Sequence, residues 1–402
     1  MSRAFQYRLR TATALVSVQD YRAAAKKALP SMVWAYLDGG AEDERTLRDN
    51  RDAFSQWRLR QRVLCGIDAV DVSTAIGGET LSLPVILAPT GLTGLAHWSG
   101  ELAAAQAAEA AGTRATLSTA ASYSLEEVAR GTTSNHWFQL YPWGDKGLSA
   151  TSLSASLLDR ARDAGYRTLV VTVDVPIQGN RTGERRTGMG HPLILSPRRI
   201  ADAAIRPRWW YGLIRHRRVS MGNLTQARGA AAAVQTVAAQ SRAVRADLTW
   251  SDIAALRERW EGPFLVKGLL EAADAVRAVD DIGATGVIVS NHGGRQLNGA
   301  SASLTALPSI VGAVGDRADV LIDGGIRYGS DIATALALGA RAVLIGRPYI
   351  YGLAVGGAAG VKAILDILAA ELRQTMTLMG VAKLDDLKPE SLIAQPCSPM
   401  AH

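Results

Sequence analysis

Eight short apolar runs, interleaved with helix-forming stretches, constrain this chain more than any other feature. They are PVILAPT (84–90), TRATLST (113–119), HWFQLYP (136–142), TLVVTVD (168–174), PFLVKG (263–268), GVIVSNH (286–292), VLIDGG (320–325) and AVLIGR (342–347). Most are nearly continuous in aliphatic and β-branched residues, as strands covered on both faces must be. Helical signals fall between them. GELAAAQAAEAA (100–111) consists of strong helix formers and stops at Gly112. Ser124–Leu125–Glu126–Glu127 reads as a capping box, in which serine satisfies a free N–H and Glu127 reaches back. Thr249–Trp250–Ser251–Asp252 looks like the cap of the helix before the fifth run. Another helix opens at Gly329 or Ser330 and ends near Gly339, and a helical tail covers Gly360–Met379. The repeat predicts an α/β fold, a (β/α)8 barrel, with residues 1–80 as an N-terminal helical extension.

Length agrees with this. Barrels of roughly 250 residues or more form one domain, so residues 1–402 are read as one unit. One connection is too long: 88 residues separate Asp174 from Pro263. Residues 176–248 are therefore read as an insertion or lid, containing an Ala-rich helix near 228–243. At 48% hydrophobic and 20% charged, the chain is neither disordered nor collagenous. No apolar run reaches the roughly 18 residues of a membrane span, and the basic N-terminus is too interrupted for a secretory signal. Cys65 and Cys397 lie far apart with no CxxC, which excludes a zinc ribbon or redox dithiol and points to the cytosol.

The net charge of +7 is local. Segment 190–222 holds Arg198, Arg199, Arg206, Arg208, Arg215, Arg217 and Arg218 against the single acid Asp202, interleaved with Trp209, Trp210, Tyr211, Leu213 and Ile214. Three readings compete: a solvated insertion or oligomer contact, a peripheral membrane patch, and a nucleic-acid surface. Arginine mixed with tryptophan and aliphatics suits a membrane interface, and no nucleic-acid motif supports the third.

In such a barrel the site is built where strands end, and those ends are polar. Thr90 follows the first run and Ser118 ends the second; Gln139 and Tyr141 lie on the third, Thr172 and Asp174 on the fourth, and Lys267 on the fifth. Ser290, Asn291 and His292 end the sixth, with Arg295 beyond. Asp323, Gly324, Gly325 and Arg327 follow the seventh, and Gly346 and Arg347 close the eighth. Glycines and arginines on loops seven and eight point to a phosphate-bearing cofactor or substrate, although tight-turn glycines would need no ligand. His292, of the six histidines, alone ends a core strand beside Arg295, and its ordinary pKa suits proton abstraction. Asp174 is placed to orient it. Arg181 and Arg295 are candidates for clamping a carboxylate.

SNHGGRQL (290–297), LIDGGIRYGSDIATALALGA (321–340) and IGRP (345–348) resemble the FMN-dependent 2-hydroxy acid dehydrogenase and oxidase family. The resemblance continues through LPSMVWAYLDGGAED (29–43), APTG (88–91), FQLY (138–141), TVD (172–174) and LVKG (265–268). It implies FMN, a small 2-hydroxy acid substrate and a homo-oligomer, often a tetramer. His292 would be the base with Asp174 as partner. Arg181 and Arg295 would hold the substrate carboxylate, with Tyr36 and Tyr141 bonding carboxylate and hydroxyl. Lys267 would sit at the N1–C2 oxygen edge of the flavin, where a cation stabilises the reduced anion. Ser118, Gln139, Thr172 and the backbone at Thr90 and Gly91 would contact the ring system, and Ser290 would shape its pocket. Arg327, Gly346 and Arg347, with Gly325 on the same turn, would bind the phosphate, and Asp323 the ribityl chain or its surroundings.

Departures speak to substrate. Glycolate oxidases carry tryptophan where Ala120 stands and alanine where Gly91 stands, so this pocket favours a bulky or aromatic (S)-2-hydroxy acid. PTGLTG (89–94) and IRPRWW (205–210) look closest to the mandelate dehydrogenase branch, whose corresponding insertion binds membrane. That favours the membrane reading of 195–222, on the inner face of the cytoplasmic membrane. A relative that modifies a peptide-derived redox cofactor shares the RPRW-like text, but Arg295 and Tyr36 argue for ordinary hydroxy-acid chemistry. No haem-domain-sized extension precedes the barrel, against a fused flavocytochrome. The electron acceptor, quinone or respiratory carrier against oxygen, stays open. So do the rivals: a short-chain lactate or glycolate oxidase, a flavin-free phosphate-binding barrel enzyme, and a binding module with a degenerate barrel.

Overall fold

The computed structural model describes residues 14–143, 152–189, 194, 196–225, 228 and 245–395. All eight apolar runs are strands: β1 (Val85–Leu87), β2 (Thr116–Ser118), β3 (Trp137–Leu140), β4 (Leu169–Thr172), β5 (Phe264–Leu269), β6 (Gly286–Val289), β7 (Asp319–Asp323) and β8 (Ala342–Ile345). They run parallel in the order β1-β8-β7-β6-β5-β4-β3-β2. A parallel bridge from Leu87 to Ala115, with the Leu87 N–H donating to the Arg114 carbonyl at 3.0 Å, joins the two ends and closes the ring.

Strand alternation explains both the apolar runs and their polar tips. Ile86, Trp137, Val170, Leu265, Ile288, Leu321 and Leu344 form one cluster inside the barrel. Their neighbours Val85, Leu87, Phe138, Leu140, Leu169, Val171, Val266 and Val287 pack outward under the helices. Side chains two residues apart on a strand share a face. Counting two onward from the interior layer gives Gln139, Thr172, Lys267, Ser290, Asp323 and Gly346. The polar residues are thus the next layer of the same barrel interior, resting on an apolar plug.

Residues 18–81 are less helical than the sequence suggests. Helices cover Val18–Ala28, Ser31–Asp38 and Arg45–Asp52. Beyond them, Trp57–Leu59 pairs antiparallel with Leu392–Ala394, and Thr74–Ile76 pairs with Glu79–Leu81 in a hairpin. Gly77 and Gly78, at φ +56° and +81°, make that turn, a backbone region open to glycine without penalty. Ile76 and Leu81 join the interior cluster and close the barrel floor.

The capping box at Ser124–Glu127 and the cap at Thr249–Asp252 form as expected, and helices span Gly100–Ala110 and Gly329–Ala337. The tail helix starts earlier than its sequence signal, running Arg347–Met379 with a break at Gly356–Gly357. By length and composition it could cross a membrane, although Lys362 and Asp366 interrupt its apolar run. However, Val361, Ile364, Leu365, Leu368, Leu372 and Met376 are fully buried, which marks it as a core helix. In the long insertion, short helices cover Thr182–Thr187, Pro197–Ala204 and Pro207–His216. Most of the Ala-rich stretch expected as a helix at 228–243 lies outside the described residues.

Candidate active site

The turn after β6 holds His292 in a left-handed backbone conformation, φ +59°. A bulky residue rarely adopts it, and such strain persists only where neighbours impose it. Here Ser290 Oγ accepts from the His292 N–H at 3.0 Å, and Asn291 Oδ1 accepts from the Gly294 N–H at 3.0 Å. Asn291 is itself locked: it exchanges two amide hydrogen bonds of 2.8 Å with Asn50, on the Arg45–Asp52 helix. Asn50 carries no sequence signal of its own and was not among the expected residues.

His292 Nδ1 lies 2.9 Å from Asp174 Oδ1. A carboxylate only accepts, so Nδ1 donates and Nε2 keeps its lone pair. That Nε2 faces the Tyr141 hydroxyl at 3.5 Å. Burial pushes the His292 pKa below its ordinary value, more than Asp174 raises it, so the neutral base predominates at neutral pH. For Asp174 burial works upward, but His292 and Lys267 outweigh it and keep the carboxyl ionised. Burial raises the Tyr141 and Tyr36 phenols above their usual range, so both remain neutral donors. The glycine of LVKG is required here: Gly268 has φ +111°, and a Cβ on it would lie 2.6 Å from the Asp174 side chain.

Two arginines act on the same site, Arg181 on His292 and both on the Tyr141 phenol. Arg295 Nη1 donates to the Tyr36 and Gly39 carbonyls at 2.8 and 2.9 Å, and its guanidinium lies over the Tyr36 ring. Arg181, despite its place on the long loop, is brought alongside, its Nε donating to the Arg295 carbonyl at 3.4 Å. Buried Glu184 lies between them, a residue the sequence reading missed. Tyr36 donates to the Gly91 carbonyl at 3.2 Å. A Cβ placed on Gly91 would lie 3.0 Å from the Ala120 Cβ and 3.6 Å from the Tyr36 hydroxyl. Gly91, Ala120 and Tyr36 therefore share one wall.

The floor joins the strand ends. Lys267 Nζ, buried, donates to Ser290 Oγ at 2.8 Å and pairs with Asp323 Oδ2 at 3.0 Å. Burial lowers the lysine's pKa, but Asp323 and Asp174 more than offset this, so it stays charged. Gln139 Oε1 accepts from Ser118 Oγ and the Thr119 N–H, leaving Nε2 as the free donor. Gln139 Nε2, Thr172 Oγ1 and Asp323 Oδ1 are buried with no hydrogen-bond partner among the described residues. Buried polar atoms are normally satisfied. Donors and acceptors left open around a buried cation fit the polar edge and side chain of FMN.

The residues expected to hold a phosphate are more tied down than the sequence implied. A Cβ on Gly325 would collide with the Asn50 carbonyl, so this glycine also serves the packing of the Arg45–Asp52 helix. Arg347 donates to the carbonyls of Asp38, Gly293 and Gly39 at 3.1, 3.0 and 2.8 Å, and burial brings its pKa down to about 10. Arg327 donates to the neighbouring Ile326 carbonyl at 2.7 Å. Gly346 is open, with only Ala88 and Thr90 atoms at 3.9 Å from a hypothetical Cβ. It precedes the N-terminus of the Arg347–Met379 helix, a setting that favours anions.

Comparison with known proteins agrees. The profile of FMN-dependent dehydrogenases matches residues 25–394. An L-lactate dehydrogenase of Caulobacter vibrioides is 44% identical over 382 residues, covering 94% of this chain and 97% of that one. An L-lactate dehydrogenase of Alcaligenes faecalis is 42% identical over 382 residues, covering 94% and 99%. The crystal structure of the monotopic membrane protein (S)-mandelate dehydrogenase superposes with a TM-score of 0.90 at 38% identity, covering 95% of this chain and all of that one. A mandelate oxidase structure gives a TM-score of 0.77 at 37% identity, covering 94% of this chain and 98% of that one. Profile, relatives and barrel together make this chain a member of the FMN-dependent dehydrogenase family, an oxidoreductase that uses FMN to oxidise 2-hydroxy acids.

Proposed function

We propose that the protein oxidises an (S)-2-hydroxy acid with a bulky or aromatic side chain to the 2-oxo acid. The observation that carries the reaction is the His292–Asp174 pair, held neutral-base-first and facing Tyr141, with the half-buried Arg181 and Arg295 acting on the same site. His292 Nε2 takes the substrate's proton, and Asp174 stabilises the imidazolium that results. Arg181, Arg295 and Tyr36 hold the carboxylate, and Tyr141 the hydroxyl. FMN, when bound, supplies the two-electron acceptor. Lys267, Ser118, Gln139, Thr172, Ser290 and Asp323 hold its ring and side chain, with Thr90 and Gly91 alongside. Gly325, Arg327, Gly346 and Arg347 hold its phosphate.

The small pair Gly91 and Ala120 supports a large side chain, as do mandelate dehydrogenase and mandelate oxidase among the structural neighbours. The lactate names of the sequence relatives favour the second reading, a short-chain acid. An anaerobic absorbance titration decides. The yellow protein should be bleached by (S)-mandelate faster than by L-lactate or glycolate. Bleaching led by lactate would install the short-chain reading, and no bleaching by any would discard both. The exposed arginines and aromatics of 196–217, with the monotopic neighbour, support peripheral attachment to the cytoplasmic face of a membrane and delivery of electrons to a quinone or respiratory carrier there. A homotetramer goes with the same reading and is checked by sedimentation of the flavin-loaded protein.

A further inference from the structure

One anion serves both carboxylate-binding arginines. Glu184, 6% exposed, places Oε1 3.0 Å from Arg295 Nη2 and 3.6 Å from Arg181 Nη1. It stands on the Thr182–Thr187 helix, which is tied to the chain at its start and capped at its end. Thr182 Oγ1 donates to the Glu42 carbonyl at 2.6 Å, and the Met189 N–H donates to the Glu184 carbonyl at 2.9 Å across Gly188, at φ +85°. The carboxylate therefore approaches the arginines from a braced backbone.

Two consequences follow from donor and charge accounting. Arg295 has five N–H donors. Both on Nη1 go to the Tyr36 and Gly39 carbonyls, and one on Nη2 goes to Glu184. What remains by this count is the Nε–H and one Nη2–H, the two nitrogens of the guanidinium edge that can face an incoming carboxylate. Charge leads to the same place. Burial and the nearby Arg295 both push the Arg181 guanidinium's pKa down, and Glu184 works against them. Two guanidiniums and one carboxylate leave a single positive charge, which one substrate carboxylate neutralises.

We propose that Glu184 is the positioning residue of substrate recognition. It turns Arg295 so that one bidentate edge faces the substrate, and it holds Arg181 beside Arg295 despite their repulsion. The assignment rests on the reading of this site as a 2-hydroxy acid oxidoreductase.

The test compares flavin-loaded wild type, Glu184→Gln and Glu184→Asp, each with the best 2-hydroxy acid and its neutral methyl ester. Glu184→Gln is expected to raise the KM for the acid at least tenfold with kcat within about threefold of wild type. The preference for acid over ester, as a ratio of kcat/KM, should shrink at least tenfold. Glu184→Asp keeps the charge but withdraws it by one methylene, and its KM should rise several-fold, between the other two. A general loosening of the fold would instead lower acid and ester alike. That outcome overturns the proposal, as does a KM within twofold of wild type in whichever variant folds. A lower KM in Glu184→Gln also overturns it, since Glu184 would then be a competitor of the substrate carboxylate. Wild type that oxidises no 2-hydroxy acid would defeat the underlying reading, a result distinct from wild-type turnover that Glu184 does not influence.

Discussion

At the scale of single residues, the site works through protonation states set by burial. His292 is held below the ordinary histidine pKa of about 6.5. Its base form therefore persists as pH falls through the range where a free histidine would protonate. The acid limb of kcat/KM should lie below pH ~6.5. Asp174→Asn removes the neighbour that raises the His292 pKa. The limb should then move further toward acid while kcat falls by about 10²- to 10⁴-fold, because the imidazolium loses its counter-charge. A limb that moves toward alkali in this variant would mean Asp174 does not act through His292. Ala120 governs a different property. Its Cβ borders Gly91 and, through it, Tyr36, so Ala120→Trp should lower turnover of mandelate by far more than that of lactate. Equal losses would place Ala120 outside the side-chain pocket.

At the scale of elements, the catalytic turn is braced by a helix far away in sequence. Asn50 and Asn291 are 241 residues apart, both buried, and satisfy each other's amides. Asn50→Ala leaves the Asn291 amide short of partners, a loss of about 1–3 kcal/mol in stability. Because Asn291 also holds the Gly294 N–H, kcat should fall more than KM rises. Denaturant unfolding and steady-state kinetics read the two effects, and unchanged stability would mean water replaces the lost amide at no cost. This pair shows where sequence reading stops. The eight strands were legible because buried parallel strands are written as unbroken apolar runs. The mouth residues were legible because strand alternation places Gln139, Thr172, Lys267, Ser290 and Asp323 one layer above the apolar plug. Asn50 and Glu184 were not, since each is one polar residue among several on a short polar helix and its partner, 241 or 111 residues off, is fixed only by the fold. The hairpin at 74–81 was misread as helix because its strands are three residues each, too short to show a period. The double-glycine turn between them was its one available signal.

At the scale of the whole molecule, the basic segment resolves into two faces. Trp209 turns inward, its indole N–H donating to the Leu95 carbonyl at 2.7 Å, while Gly212 packs on Trp98, and Trp98 stacks on His216 at 3.9 Å. Asp202 pins the Pro197–Ala204 helix to the start of the Ser31–Asp38 helix, accepting from the Ser31 N–H at 2.7 Å. That second helix carries Tyr36, so the insertion and the substrate wall share a support. Not every arginine belongs to the basic surface: Arg206 pairs with Asp202, and Arg218 with Glu127. Facing outward are Arg198, Arg208, Arg215 and Arg217 among Ile200, Ile205, Trp210, Tyr211 and Ile214. An apolar ridge studded with cations, rigidly docked on its other side, suits a surface lying in a lipid interface. Burying a side chain of this size contributes about 1.5–3 kcal/mol. Replacing Ile205, Trp210 and Ile214 together by serine should therefore weaken partitioning onto vesicles containing anionic lipid by at least about a hundredfold. Flavin absorbance, and turnover with a soluble dye as acceptor, should stay at wild-type levels, because none of the three touches the substrate wall. Salt should weaken the wild type only in part, since it screens the arginines and leaves the apolar contribution. Sedimentation with the vesicles equal to wild type in the triple variant would show that this ridge is not the docking surface.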